Sequence, residues 1–194
     1  MQDGSRLYLP NGKPKIDYVI LHHSAGNNMQ DRSEMDVIYA LNMTGYDRLY
    51  KPYEYSLAGF SKRWGKLTHT FPGTDTLSFC GYHFCLYRHN SEASGWRVVG
   101  LIDDPLNNKA GGVAQFEVAR RALEICTLGD FRTERVDQAW LETIVGLIKS
   151  QIDDYAYIET KGHKDFDQTI CPASIYDEIP KIREYLCRSI RNDN

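Results

Sequence analysis

Two stretches that lie far apart in the sequence carry residues able to bind a metal ion. The first is the pair His22-His23, which ends an apolar run. In the second, residues 162–172, a polar loop closed by a proline separates His163 and Cys171 by eight positions. A catalytic zinc ion usually has three protein ligands and one open position, and imidazole and thiolate suit zinc better than magnesium or calcium. The sequence therefore predicts one Zn²⁺ per chain, bound by His22, His163 and Cys171.

The two adjacent histidines are expected to differ in role. Successive side chains of a strand point to opposite faces, so His22 shares a face with Tyr18 and Ile20 whereas His23 points the other way. Only one of the two can then join a given site. Two alternatives remain open. Both histidines could simply pack and hydrogen-bond at a strand end, or a fourth ligand, His23 or Asp165, could close the shell of a structural zinc ion.

Strands and helices must alternate along the chain to position these residues. Runs rich in β-branched and aromatic residues predict strands of one sheet at 16–22, 82–87, 96–102 and 122–128. Apolar residues at helical spacing predict two long helices, with the stripes Val136, Trp140, Ile144, Leu147, Ile148 and Ile152, and Ile175, Ile179, Ile182, Leu186 and Ile190. A shorter helix is predicted near 33–43, with Ser33 as its N-terminal cap. The predicted fold class is α/β, with a mixed central β-sheet flanked by helices.

Length and composition limit the domain organisation and the partners. A chain of 194 residues with 42% hydrophobic residues fits one domain, 1–194, with a core of its own. A formal net charge of -3 provides no basic field for nucleic acid. The five cysteines are an odd number, which argues against a disulfide scaffold. The sequence indicates neither a signal peptide nor a membrane span. We therefore expect that the chain is made in the cytoplasm and does not insert into a membrane.

Four segments, taken in order, resemble a known enzyme family. They are ILHHSAG at 20–26, GYHF at 81–84, ALEICTLGDF at 122–131 and GHKDFDQTICP at 162–172. The chain resembles the N-acetylmuramoyl-L-alanine amidases, which share a fold with peptidoglycan recognition proteins and with the amidase-type lysozymes of bacteriophages. The resemblance covers most of the chain. It implies hydrolysis of the amide bond between N-acetylmuramic acid and L-alanine, with peptidoglycan or muropeptides as the partner.

The resemblance also implies roles for single residues. The zinc ligands of the family fall on His22, His163 and Cys171, the set that ligand chemistry selects. Tyr82 matches the tyrosine that faces the metal-bound water, and Thr169 matches a polar residue two positions before the cysteine. Zinc lowers the pKa of a bound water molecule and polarises a carbonyl. The Tyr82 hydroxyl is then expected to stabilise the oxyanion, and Thr169 to orient the carbonyl or the water.

Two departures from the family pattern concern the site. Cys126 stands about where some intracellular relatives carry a catalytic glutamate. Glu124 lies two residues earlier, on the same strand face, and is either a substitute general base or a structural residue. Phage-type members resemble this chain more, because they lack that glutamate and use the tyrosine with a lysine or threonine near the cysteine. In addition, residues 110–114 read AGGVA where relatives often show a Gly-Ala-His-Ala motif, so the usual histidine is missing.

Two further groups of residues carry weaker hypotheses. Residues 44–79 are interpreted as an insertion that is rich in aromatic residues, which form either a small satellite core or a lid over a sugar-binding cleft. The aromatic residues are Tyr46, Tyr50, Tyr53, Tyr55, Phe60 and Trp64. Cys80 and Cys85 have His69, His83 and His89 nearby, but their spacing matches no common zinc signature, and buried thiols are the favoured interpretation.

The rival function is a non-catalytic recognition protein that binds muropeptides without cutting them. Silent members of the resembled family typically lose the metal-binding cysteine, whereas this chain keeps Cys171, both histidines and Tyr82. An enzyme is therefore favoured. A phage endolysin, made in the cytoplasm and released onto the cell wall through a membrane lesion, reconciles a substrate outside the membrane with a chain that shows no export signal.

Overall fold

The fold is built around one mixed sheet. A computed structural model describes residues 9–26, 30–34, 36–37, 41, 69–70, 77–78, 81–101, 110, 112–153 and 155–192. The strands described are β1 (Tyr18–His23), β2 (His69–Thr70), β3 (Leu77–Ser78), β4 (Phe84–Arg88), β5 (Trp96–Gly100), β6 (Ala122–Thr127) and β7 (Glu159–Gly162). Five of them form the central sheet in the order β5-β4-β6-β1-β7, and β2 pairs with β3 separately.

Strand directions make the central sheet mixed, as the sequence predicts. β1 runs parallel to both β6 and β7, β4 runs parallel to β6, and β5 is antiparallel to β4. Strands buried on both faces read as continuous apolar runs, and every residue of β6 is buried. The carboxyl ends of β1, β6 and β7 therefore meet at one edge of the sheet, where residues 22–23 and 162–163 lie.

Two long helices cover one face of this sheet. They are α2 (Gln138–Gln151) and α3 (Ile179–Asn192), and a short helix α1 (Phe116–Ala119) precedes β6. Apolar side chains from both helices pack with Val19 and Leu21 of β1 in the largest core cluster. Ile20 packs on the other face with Val113, Val118, Ala119 and Ala122. His22 therefore lies on the face opposite the two long helices.

The start of α2 shows why its position along the chain is fixed. Asp137 accepts a hydrogen bond from the amide of Trp140 at 2.8 Å and another from the indole of Trp96 at 2.9 Å. An N-terminal cap of this kind contributes about 1 kcal/mol. Because Trp96 belongs to β5, the same carboxylate ties the helix to the edge of the sheet.

The predicted elements agree with the structure in kind and differ at their ends. The predicted strands 16–22, 82–87, 96–102 and 122–128 correspond to β1, β4, β5 and β6. The parts of the two apolar stripes from Trp140 to Ile148 and from Ile179 to Leu186 lie in α2 and α3. The first turns of the second stripe form a 3-10 helix, Ala173–Glu178. The sequence did not predict β7, because Glu159–Gly162 reads ETKG and carries no apolar alternation.

Parts of two other predictions lie outside the described residues. Ser33 accepts a hydrogen bond from the amide of Asp36 at 3.2 Å, as a helix cap does, but most of 33–43 is not described. Within 44–79 the structure describes only β2 and β3, and all six aromatic residues named above lie outside it. Within the described part of the chain, no helix has the length and apolar character needed to cross a membrane.

Candidate metal centre

The strand register brings the two sequence stretches together. β1 and β7 are parallel, and Leu21 pairs with Gly162. The next residues, His22 and His163, therefore lie side by side at the carboxyl ends of their strands, with ring centroids 4.7 Å apart. On the other side of β1, His22 pairs with Cys126 of β6. A rigid sheet edge thus positions the first two proposed ligands.

A tight loop returns Cys171 to the same place. The amide of Lys164 donates to the carbonyl of Cys171 at 2.8 Å, which closes the loop from 163 to 171. At its start, the carboxylate of Asp165 accepts a hydrogen bond from the amide of Gly162 at 2.8 Å. Gly162 has no room for a side chain, since a Cβ there would lie 2.6 Å from Pro172 Cδ. Close packing at both ends of the loop therefore fixes the position of the Cys171 thiol.

Three side chains converge at this point as the sequence predicts. One ligand atom from each of His22, His163 and Cys171 lies within 4.8 Å of the others. Nδ1 of His22 is 3.9 Å from Sγ of Cys171. Zn–N bonds of about 2.0 Å and Zn–S bonds of about 2.3 Å place two ligands of a tetrahedron about 3.5 Å apart. The spacing and the nitrogen and sulfur donors fit a zinc ion.

Burial keeps the imidazoles neutral and the thiol protonated when no cation is near. Burial lowers the pKa of His22 to about 3, although the charge of Asp167 opposes this shift. Burial also lowers the pKa of His163, and so does the neighbouring His22. Burial raises the pKa of the Cys171 thiol to about 12, against a hydrogen bond from the His23 amide. Neutral imidazole is the form that binds metal, and a metal ion must displace the thiol proton.

Each of the two histidines also meets a carboxylate at Nε2. Nε2 of His163 is hydrogen-bonded to Oδ2 of Asp167 at 2.8 Å. Nε2 of His22 lies 3.1 Å from Oε2 of Glu124. Glu124 lies on the same face of β6 as Cys126, as predicted, and its pairing with Ile20 places it on the face of His22 as well. Carboxylates in such positions orient metal-binding imidazoles.

Tyr82 and Thr169 lie beside the three side chains. The ring centroid of Tyr82 is 4.9 Å from that of His22. Tyr82 also affects the thiol of Cys126 on β6. Burial and the neighbouring Cys85 thiol raise the pKa of the Cys126 thiol, whereas a hydrogen bond with the Tyr82 side chain lowers it. Oγ1 of Thr169 accepts a hydrogen bond from the amide of Cys171 at 3.1 Å. Tyr82 therefore borders the ring of one ligand, and Thr169 borders the backbone of another.

His23 stands apart from this group. Its ring lies on the helix-covered face of the sheet, 6.5 Å from the ring of Phe131 between centroids. Its backbone amide donates to Sγ of Cys171 at 3.3 Å. Asp165, the other possible fourth ligand, instead accepts from the Gly162 amide and from the hydroxyl of Tyr176. Within the described ranges, neither residue joins the metal-binding group.

The hypothesis of a second metal site finds no support among the described residues, which contain a single cluster of possible ligands. Nδ1 of His83 accepts a hydrogen bond from the Glu124 amide at 2.8 Å, and Nδ1 of His89 bonds to Ser91 Oγ at 2.7 Å. Cys85 is fully buried, as the favoured interpretation expects. Cys80 and the side chain of His69 lie outside the description.

Several solved structures are similar to this chain, and they come from the classes of protein that the sequence resembles. No protein-family model matches the sequence, and a search of curated proteins finds no match. The endolysin of Thermus scotoductus MAT2119 bacteriophage Ph2119 is similar with a TM-score of 0.55 and 16% identity, over 94% of this chain and 92% of that one. The N-acetylmuramoyl-L-alanine amidase LysC from Clostridium intestinale URNW gives a TM-score of 0.56 and 20% identity, over 89% and 85%. Human PGRP-IBETAC, solved with glycosamyl muramyl pentapeptide, gives 0.57 and 19%, over 90% and 84%.

The chain has the fold of the amidases and peptidoglycan recognition proteins. This confirms the predicted fold class, a mixed central sheet flanked by helices. The similar structures include an enzyme and a recognition protein, so the fold is compatible with both predicted functions. The choice between them depends on the chemistry of the site.

Proposed function

We propose that this protein is a zinc-dependent N-acetylmuramoyl-L-alanine amidase that hydrolyses the amide bond between N-acetylmuramic acid and L-alanine of peptidoglycan. The observation that carries the proposal is the convergence of His22, His163 and Cys171 within 4.8 Å. Three ligands without a fourth are typical of a catalytic rather than a structural zinc ion. A protein that only binds muropeptides has no need for such a set.

Each residue of the centre has a part in this reaction. A zinc ion held there would supply a Lewis acid that activates water and polarises the scissile carbonyl. His22 and His163 offer neutral nitrogen donors, and Cys171 offers a thiolate after losing its proton. Tyr82 would donate its hydroxyl proton to the oxygen on which negative charge develops. The Thr169 hydroxyl accepts a hydrogen bond from the amide of Cys171. Its own proton remains able to donate to an oxygen of the substrate or of water.

The biological role that best fits this activity is that of a phage endolysin or a related lytic enzyme of the cell wall. One of the similar structures is a bacteriophage endolysin and another is a bacterial amidase. Such an enzyme is made in the cytoplasm and reaches peptidoglycan after release. Its partner is peptidoglycan or a muropeptide.

Digestion of purified peptidoglycan tests the proposal. The protein is incubated with the polymer in the presence and absence of a zinc chelator, and the released fragments are identified by mass. We expect free stem peptides that begin with alanine, their loss on chelation, and their return on addition of zinc. Muropeptides that stay bound and uncut would instead identify a recognition protein.

A further inference from the structure

Glu124 occupies a position where a carboxylate is costly. It lies in the middle of β6, and its side chain is 0% exposed. An ionised carboxylate removed from water is destabilising unless a neighbouring group offsets the loss of hydration. The same strand face carries Ala122 and Cys126, which are uncharged, so compensation must come from outside β6.

The facing group is the imidazole of His22, which is equally buried. Oε2 of Glu124 lies 3.1 Å from Nε2 of His22, at ion-pair distance. Nε2 of His22 makes no hydrogen bond of good geometry with the described residues, and this carboxylate oxygen is the charged group that faces it. Nδ1, the other ring nitrogen, faces Sγ of Cys171 at 3.9 Å. The ring is thus held between a carboxylate on one edge and the thiol on the other.

The backbone next to this pair is shaped to fit it. A Cβ on Gly112 would clash with Oε2 of Glu124 and would lie 3.0 Å from Cε1 of His22. It would also lie 2.8 Å from the carbonyl oxygen of Gly81, which is backbone. Residue 112 must therefore be a glycine while Glu124 has this conformation. The pair and the loop that covers it form one steric unit.

We propose that Glu124 is a positioning residue for His22, and that it holds the ring with its Nε2 proton toward the carboxylate and Nδ1 toward the metal. This inference rests on the proposed zinc centre. A carboxylate at the remote nitrogen fixes the tautomer of a metal-binding imidazole and strengthens it as a ligand. Nδ1 then carries no proton and is ready to bind zinc.

This role differs from that of a general base. A base must lie within hydrogen-bonding reach of the proton that it removes. The contact that carries the positioning role is that of Oε2 of Glu124 with the Nε2 edge of His22, whereas the thiol lies at the Nδ1 edge. In the positioning role the carboxylate acts on the ligand and not on the reacting atoms.

The test is the zinc affinity of Glu124→Gln, measured by competition with a chelator of known affinity. Glutamine keeps the size of the side chain and removes its charge. We expect zinc affinity to fall by about 10- to 100-fold, the usual effect of losing such a partner. Thermal unfolding of the zinc-free variant checks that it folds. Glu117→Gln is the matched control, because that glutamate is 54% exposed on α1, and its zinc affinity should equal that of the wild type.

A second measurement on the wild-type protein keeps the inference testable if Glu124→Gln does not fold. Nitrogen-15 NMR of the zinc-loaded protein identifies which ring nitrogen of His22 bears the proton. We expect the proton on Nε2 and the metal on Nδ1. Metal on Nε2, or unchanged zinc affinity in a folded Glu124→Gln, would overturn the positioning role. A wild-type protein that binds no zinc would overturn the proposed function itself.

Discussion

Each of the two histidines of the candidate metal centre has a carboxylate at its Nε2 atom, but as a hydrogen bond at His163 and as a close contact without hydrogen-bond geometry at His22. His163 meets Asp167 at 2.8 Å, and these side chains are 20% and 21% exposed. His22 meets Glu124 at 3.1 Å, and both side chains are 0% exposed. Electrostatic interactions are stronger where water is excluded, and an uncompensated charge is costlier there. The buried pair should therefore contribute more to metal binding than the solvated one.

The two pairs also differ in how the chain builds them. His163 and Asp167 are four residues apart in one loop, so local folding is enough to join them. His22 and Glu124 come from strands that are about a hundred residues apart, and their contact needs the β1–β6 register and a glycine at 112. The solvated pair forms within one loop, whereas the buried pair depends on the packing of the sheet.

The largest effect is expected when the ligand that lies outside both pairs is removed. Cys171→Ala takes away the only sulfur of the group, and we expect zinc binding and stem-peptide release to fall below detection. Metal content and fragment release measure the two losses. The matched control is Cys187→Ala, because Cys187 is an exposed thiol on α3, and it should behave as the wild type. Full activity of Cys171→Ala would remove the thiol from the centre.

A smaller effect is expected from the ring that lies beside His22. Tyr82→Phe keeps the aromatic contact and removes the hydroxyl, so zinc should stay bound while turnover falls by about 100-fold or more. The initial rate of stem-peptide release measures the turnover, and the zinc content of the same sample shows whether the metal stays bound. Loss of the metal from this variant would mean that Tyr82 supports the ligands and does not assist the reaction.

A larger side chain next to the buried pair should lower both the stability of the fold and the affinity for zinc. Gly112→Ala places a methyl group against Glu124 and His22, and we expect destabilisation of about 1–3 kcal/mol together with weaker zinc binding. Denaturant unfolding and chelator competition measure these quantities. Gly146→Ala is the control, since a Cβ at this helical glycine meets nothing within 4 Å. That change should stabilise the protein by about 0.5–1 kcal/mol. A neutral Gly112→Ala would show that the pair is loosely packed.

The smallest effect is expected from the solvated pair. Asp167→Asn removes the charge beside His163 and should lower zinc affinity less than Glu124→Gln does, because water can replace part of the lost interaction. The same chelator competition at equal ionic strength compares the two variants. An Asp167→Asn loss equal to or larger than that of Glu124→Gln would contradict the ranking of the two environments.

Ligand chemistry and strand periodicity were enough to predict the three converging residues. The end of β1, the polar loop before Pro172 and the alternation of His22 with His23 are all visible in the sequence. The shared face of Glu124 and Cys126 also follows from periodicity, whereas the shared face of Glu124 and His22 depends on the β1–β6 register. What periodicity cannot give is the distance between two strands, so the contact at Nε2 of His22 was not predicted.

Other features were missed for local reasons. β7 carries the short sequence ETKG, whose pairing with β1 comes from its neighbours and not from its own propensity. Asp167 was passed over because a carboxylate in a polar loop is ordinarily solvated. In the sequence, Gly112 stands out only as part of the segment 110–114, which lacks the usual histidine. Its steric role depends on the position of the Glu124 side chain, which the sequence does not give. These are tertiary effects, and they concentrate around the buried pair.

The central claim is that one zinc ion, held by His22, His163 and Cys171, makes this protein an amidase. The most direct measurement is the initial rate of stem-peptide release as zinc is added stepwise to the metal-free protein. The account predicts no release without zinc, a linear rise, and a break at one equivalent per chain. Release by the metal-free protein, or a break at two equivalents, would contradict it.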